Sequence, residues 1–312
     1  MTTTTKPTIL ITGGSGLLGL NWGYQVSSQN SVCFALHHRH IAVSTGKTQF
    51  VNLASRDELR SVIYKLEPAC VVHTAGMTSI EQCEHNPSLA HQVNSEFAVN
   101  VAVACAEKNV PMIHVSTDNL FDGTMSMVDE NHAINPVNVY GQTKALAEEG
   151  VMASTDNVLV IRTNFYGWGP VYKQSFSDTI IRSLRQGKPV SLFEDVFYTP
   201  ILIKSLVDSA HALLTDGNRG VFNLCGDERL SKYEFGLALA RKFKLDPALV
   251  KAGKLSELTH LVSRPFDMSM SNKKAQLALG RPIGNVDSHL NELAEEENTS
   301  LAKEIKALDS LR

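Results

Sequence analysis

Tyr140 and Lys144 stand four residues apart in the run Tyr140-Gly141-Gln142-Thr143-Lys144. On a helix, residues i and i+4 share a face, so a phenol and an ammonium would meet the same ligand. A phenol ionises near pKa 10, and a neighbouring ammonium favours its phenolate. The spacing therefore predicts a Tyr140 pKa drawn down towards neutrality. Such a group gives a proton to a carbonyl oxygen or takes one from an alcohol. A hydroxyl to hydrogen-bond the same oxygen comes from Thr117, in the run His114-Val115-Ser116-Thr117-Asp118-Asn119. That run ends a short apolar stretch, and the C-terminal ends of strands are where open α/β sheets bind ligands. Asp118 is placed either to accept from a substrate hydroxyl or to act as a structural loop carboxylate.

A proton donor of this kind needs a partner in electron transfer, and the N-terminus offers a place for one. Thr8–Thr12 runs into Gly13-Gly14-Ser15-Gly16-Leu17-Leu18-Gly19. Gly13 suits a tight turn, Gly16 lets backbone approach a pyrophosphate, and Gly19 lets the next helix pack closely. The amides around Ser15, Gly16, Leu17 and Leu18 would then face phosphate at a helix N-terminus. The second strand ends in Leu36-His37-His38-Arg39-His40, with no carboxylate for the ribose hydroxyls. Arg39, with His37 beside it, suits a 2′-phosphate, so the expected cofactor is NADP (NADPH), with NAD as the other possibility. Asn52 and Leu53, just beyond the third strand, are assigned to the same cofactor.

These residues need a scaffold, and the pattern supplies it. Short apolar runs at Thr8–Thr12, Val32–Leu36, Gln49–Val51, Cys70–His73, Met112–Ser116 and Val158–Ile161 alternate with helical segments. Ser55-x-x-Glu58 and Ser231-x-x-Glu234 read as capping boxes. Residues Asn94 to Lys108 read as one long Ala/Val-rich helix. Strand–helix alternation predicts an α/β fold, a Rossmann-type doubly wound parallel sheet. The expected division is a dinucleotide-binding domain over 1–164, its sheet completed by later segments near 190–225. A smaller mixed subdomain for substrate, with a C-terminal helix, follows over 165–312. Leu301, Ile305 and Leu308 share one helical face, whose docking partner the sequence leaves open.

Composition narrows the class. The chain has 312 residues, 43% hydrophobic and 20% charged, with a formal net charge of -3. Near-balanced charge gives no case for nucleic acid or an anionic membrane as a partner. No apolar run approaches the roughly 18–20 residues of a membrane span. Met1–Pro7 lacks a secretory apolar core. Five scattered cysteines read as buried thiols in a reducing compartment, so a cytoplasmic location is expected. The eleven histidines lack ligand spacing, so no metal site is expected.

Together, Gly13-x-x-Gly16-x-x-Gly19, Ser116-Thr117-Asp118 and Tyr140-x-x-x-Lys144 resemble the extended short-chain dehydrogenase/reductases, and among them the dTDP-4-dehydrorhamnose reductases. Phe121-Asp122-Gly123, Ile161 to Gly167 and Arg264-Pro265 with Ser271 to Lys274 extend that likeness over most of the chain. The resemblance implies Thr117, Tyr140 and Lys144 as the catalytic triad. It implies Ala75, Gly76 and Met77 as cofactor contacts, and Asp118, Asn119, Phe165 and Arg264 on the substrate side. It further implies NADPH-dependent reduction of a nucleotide-linked 4-keto-deoxysugar, by a chain that is a possible homodimer. Asn119 and Phe165 stand where those reductases commonly have Tyr and Trp, so the substrate side is where this chain departs. Nucleotide-sugar dehydratases follow the Thr with Asp-Glu; Asp118-Asn119 here argues against water loss. An epimerase of the same superfamily, and a reductase-like regulatory subunit of methionine adenosyltransferase, are the alternatives the resemblance leaves.

Overall fold

The inner strands of the central sheet are short runs that are mainly apolar on both sides, as a sheet covered on both faces requires, whereas the edge strand Lys47–Phe50 is polar and largely exposed. The computed structural model describes residues 6–309. Met1–Thr5, most of the segment read above as lacking a secretory core, lie outside the described residues. The strands are β1 (Thr8–Thr12), β2 (Ser31–Leu36), β3 (Lys47–Phe50), β4 (Cys70–His73), β5 (Met112–Val115), β6 (Val158–Arg162) and β7 (Gly220–Asn223). They form one seven-stranded sheet in the order β7-β6-β5-β4-β1-β2-β3, and every pairing is parallel. The order reverses between β1 and β4, which opens a crevice at their C-terminal ends.

Of the later segments expected to complete the sheet, Gly220–Asn223 joins it. Val190–Phe193 does not; it pairs with Val250–Gly253 in a separate two-stranded sheet. Ile9 and Ile11 pack with helices Leu17–Val26 and Ile203–Thr215 on one face. Leu10, Val71, Met112 and Val160 pack with Arg56–Leu66, Phe97–Glu107 and Val139–Ser154 on the other. A third core, around Tyr166, Tyr198, Phe235 and Leu290, belongs to the C-terminal part. Ile305 and Leu308 close onto the chain's own central core, which answers what the C-terminal stripe docks on.

Two local expectations are corrected. Ser231 and Glu234 form the reciprocal capping box. At Ser55 only half of it forms: the serine accepts from Glu58 N, but the Glu58 carboxylate turns to Asn52 N at 3.0 Å. The long helix begins earlier than Asn94, at Pro87, and a π-helical turn at Gln92–Glu96 interrupts it before Phe97–Glu107. That turn admits one extra residue per turn and re-aims its side chains, a feature frequent at functional sites.

All five cysteines are buried and free. Among the described residues no cluster of His, Cys, Asp and Glu could hold a metal ion, and no helix is long and apolar enough to cross a membrane.

Candidate active site

The crevice at the strand ends is a cleft of about 460 Å³. Ser15, Gly16, Leu17, Leu18 and Arg39 line it from the β1–β2 side, and Thr117, Asp118, Asn119 and Tyr140 from the β5 side. Gly76, Asn164, Phe165 and Tyr172 also border it.

Its floor is set by Gly13, whose φ of +73 is a backbone state that side chains rarely adopt. A Cβ there would sit 2.6 Å from Ala75 N, so the β1 turn and the segment after β4 lie in direct contact. Gly16 N donates to Gly13 O at 2.8 Å, closing the turn. Gly16 then caps helix Leu17–Val26 with no side-chain partner, leaving the helix start open towards the cleft. This is the donor set a pyrophosphate requires.

The Tyr140 helix, Val139–Ser154, is fixed at its start by three contacts. Asn138 caps it by accepting from Gly141 N at 2.8 Å and donates to Ser263 O. Val139 N donates to Glu84 Oε1 at 2.8 Å. Gly141 itself lies against the Thr117 loop, where a Cβ would meet Asn119 O at 2.3 Å. Further along, Asn94 on the π turn donates to Thr143 Oγ1 at 3.0 Å and accepts from Met77 N at 2.7 Å. Asn94 thus ties the segment after β4 to the Tyr140 helix. Its side chain is buried, and only the π turn, which residue pattern does not reveal, brings it there.

Thr117 and Tyr140 both line the cleft, and the Thr117 hydroxyl lies close enough to the phenol to bear on its pKa. The Thr117 hydroxyl donates to Asp118 Oδ1 at 3.3 Å and accepts from Asn119 N at 3.2 Å. Lys144 Nζ donates to Val115 O at 2.7 Å, at the end of β5. Burial pushes the Lys144 ammonium down to about 8, and Glu148 partly opposes the shift.

The expected depression of the Tyr140 pKa is not found. Burial, aided by the Asp118 carboxylate, pushes the phenol up to about 12; the Thr117 hydrogen bond opposes this, and Lys144 is not among the causes. The phenol sits in an environment that disfavours its anion, and the Lys144 amine turns to the Val115 carbonyl. Asp118 is also raised by burial, with Lys232, Asn164 and Asn119 pulling the other way.

Several expected site residues lie elsewhere. Leu53 is part of the core beneath the sheet. Asn52 Oδ1 accepts from Ala54 N, stabilising its own turn. His37 packs against His38 with centroids 3.5 Å apart and ring planes tilted by 46°, and packs edge-on to Phe97, outside the cleft lining. Arg264 forms an ion pair with Glu81 and is likewise outside the lining. Ala75 and Met77 flank Gly76; Ala75 backs the Gly13 turn, and the Met77 backbone is held by Asn94. Arg39, by contrast, lines the cleft with its guanidinium 4.0 Å above the Tyr172 ring. Tyr172, which the sequence did not single out, donates from its hydroxyl to Ser15 O at 3.0 Å and joins the C-terminal part to the glycine turn.

Residues 7–299 match the family described as RmlD substrate binding domain. The chain belongs to that family. It is similar to a probable low-salt glycan biosynthesis reductase of Haloferax volcanii, at 24% identity over 87% of this chain and 93% of that protein. It is also similar to methionine adenosyltransferase 2 subunit beta of Bos taurus, at 27% identity over 88% and 80%. Among solved structures, dTDP-4-dehydrorhamnose reductase of Bacillus anthracis, in complex with NADP, superposes with a TM-score of 0.83 at 21% identity, over 94% of this chain and 100% of that one. At that identity the superposition speaks for the shared Rossmann-type fold.

Proposed function

We propose that this RmlD-family chain is an NADPH-dependent oxidoreductase that reduces the keto group of a nucleotide-linked 4-keto-deoxysugar. The observation that carries the proposal is the juxtaposition of the Thr117 and Tyr140 hydroxyls in a cleft that begins at the open glycine turn. When bound, the reduced nicotinamide supplies a hydride. Thr117 and Tyr140 hydrogen-bond the carbonyl oxygen, and Tyr140 Oη delivers its proton there as negative charge develops. Lys144, one helical turn on from Tyr140 and donating to Val115 O, would hold the cofactor ribose. Asp118, Asn119 and Phe165 border the sugar side, and Ser15 to Leu18 the pyrophosphate. In this reading residues 1–164 bind dinucleotide and 165–312 chiefly hold substrate.

An epimerase of the same superfamily would use the same residues but keep its cofactor through the cycle, so the two readings separate on net cofactor consumption. Stoichiometric loss of reduced-nicotinamide absorbance with a dTDP-linked 4-keto-deoxysugar is the expected assay result. Turnover with no net NADPH change would point to the epimerase instead. The likeness to methionine adenosyltransferase 2 subunit beta supports a second reading, a regulatory subunit. Co-purification with a catalytic partner, and no reduction across a sugar-nucleotide panel, would favour it.

Cofactor choice rests on Arg39. Arg39→Ala should raise the Michaelis constant for NADPH about 10-fold or more and leave that for NADH nearly unchanged, because only NADPH carries the 2′-phosphate. Equal changes for both cofactors would remove the 2′-phosphate argument.

A further inference from the structure

Arg39 is exposed in the loop after β2, yet its side chain is laid against a ring from the other end of the chain. The guanidinium carbon lies 4.0 Å above the centroid of Tyr172, and among the described residues Arg39 forms no ion pair. A guanidinium resting on a ring spends its face there and keeps its in-plane N–H donors for another partner. Arg39 and Tyr172 both line the cleft, so those donors stand at the cleft wall.

Tyr172 is itself held. Its hydroxyl donates to Ser15 O at 3.0 Å, inside the glycine turn. Burial pushes the phenol up to about 12, with Arg39 opposing, so at neutral pH it keeps the proton that this bond needs. The segment that carries it is tied down at three points. Trp168 O accepts from Asn21 Nδ2 at 2.9 Å, Gly169 N donates to Asp178 Oδ2 at 2.6 Å, and Val171 N donates to Leu308 O at 3.2 Å. Asn21 belongs to helix Leu17–Val26, the helix that the glycine turn opens.

One ring thus bridges two anion sites: its hydroxyl rests on the turn suited to the pyrophosphate, and its face carries the guanidinium suited to a 2′-phosphate. In a dinucleotide those two groups are separated by a single ribose. An arginine free on a loop must give up rotamer freedom when phosphate binds; one already laid on a ring has given it up beforehand. We infer that Tyr172 is a positioning residue for the cofactor's 2′-phosphate, holding the Arg39 guanidinium flat beside the glycine turn and so setting the preference for NADPH over NADH from the C-terminal part of the chain. The inference rests on the NADPH reading above and adds to it what orients Arg39.

The test is calorimetric titration of the full chain with NADPH and with NADH, for the wild type, Tyr172→Gln, Tyr172→Phe, Arg39→Ala and the Arg39→Ala, Tyr172→Gln double variant. Gln keeps a donor for Ser15 O and removes the ring; Phe keeps the ring and removes the donor. Tyr172→Gln should weaken NADPH about 5–10-fold and NADH by less than about 2-fold. Tyr172→Phe should keep the NADPH-to-NADH preference within about 3-fold of wild type. On the Arg39→Ala background Tyr172→Gln should change NADPH affinity by less than about 2-fold, because the ring then has no guanidinium to hold. NADH affinity and thermal melts report folding, and Tyr172→Leu, which keeps apolar packing, replaces the Gln variant if that one melts early. Equal weakening of both cofactors, or the same loss with and without Arg39, would mean that Tyr172 only braces the glycine turn, and the inference would fall alone. It would fall likewise if Tyr172→Gln left NADPH affinity unchanged, or if Tyr172→Phe lost the preference as fully as Tyr172→Gln. If Arg39→Ala left the NADPH-to-NADH preference as it was, the 2′-phosphate reading would go, and this inference with it.

Discussion

Replacing Tyr140 by Phe is expected to lower turnover by about 10²–10⁴-fold, the usual contribution of a positioned acid, while NADPH affinity stays within a few-fold of wild type. The phenol is the group in the cleft whose proton is both near the carbonyl site and retained at neutral pH. With its pKa at about 12, Tyr140 is protonated throughout the physiological range, so it holds a proton until an alkoxide, a much stronger base, develops beside it. Thr117 cannot substitute as the acid, because an aliphatic hydroxyl is a far weaker acid than a phenol and can only hydrogen-bond the same oxygen. Phe keeps the ring and its packing, so cofactor binding and thermal stability should survive. Single-turnover reduction followed at saturating NADPH measures the chemical step directly. Full activity in Tyr140→Phe would falsify the assignment of Tyr140 as the acid, whatever the substrate proves to be.

The elements that bring Tyr140 there were legible to different depths. Five of the six early strands could be read because each is a mainly apolar run bounded by polar turns, and a parallel sheet buried on both faces writes itself that way; the edge strand Lys47–Phe50 is polar and overlaps the expected Gln49–Val51 only at Gln49 and Phe50. The glycine turn was legible because a positive φ at Gly13 and a close approach to Ala75 leave little choice of residue. What the sequence did not disclose depends on contacts between distant segments. Asn94 reaches Met77 and Thr143 only because a π turn rotates it inward. Tyr172 meets Ser15 across 157 positions of sequence. His37, Asn52, Leu53 and Arg264 differ in the opposite sense. Each has a plausible residue type near the right strand end, but a nearer partner, whether a neighbouring ring, its own turn, the core or Glu81, holds it outside the cleft lining. Tyr140 differs for a related reason: spacing shows that Lys144 shares its helix face, but not how deeply the phenol is buried nor that the amine turns to the Val115 carbonyl.

Gly141→Ala carries the second large effect, and it separates positioning from acidity. Alanine is the better helix former by about 1 kcal/mol, so on propensity alone the change would stabilise the helix start. The structure predicts a loss instead. The added Cβ would sit 2.3 Å from Asn119 O and 2.8 Å from Pro136 Cβ. The first of these is a backbone atom that cannot swing aside as a side-chain tip would. Relief requires the helix start to back away from the Thr117 loop, and Asn138, bonded to both Gly141 N and Ser263 O, resists rotation of that start. The displacement falls on Tyr140, the adjacent residue, and separates its hydroxyl from Thr117. A misplacement of about 1 Å in a reacting group lowers rates by roughly 10²-fold, so turnover of Gly141→Ala should fall by about that factor. Because the phenol itself is intact, raising pH should not restore the rate, and NADPH affinity should change little, since the glycine turn lies on the other side of the cleft. A variant that turns over at the wild-type rate would show that the Thr117 loop yields to the methyl group, and that contact between Tyr140 and Thr117 does not limit the reaction.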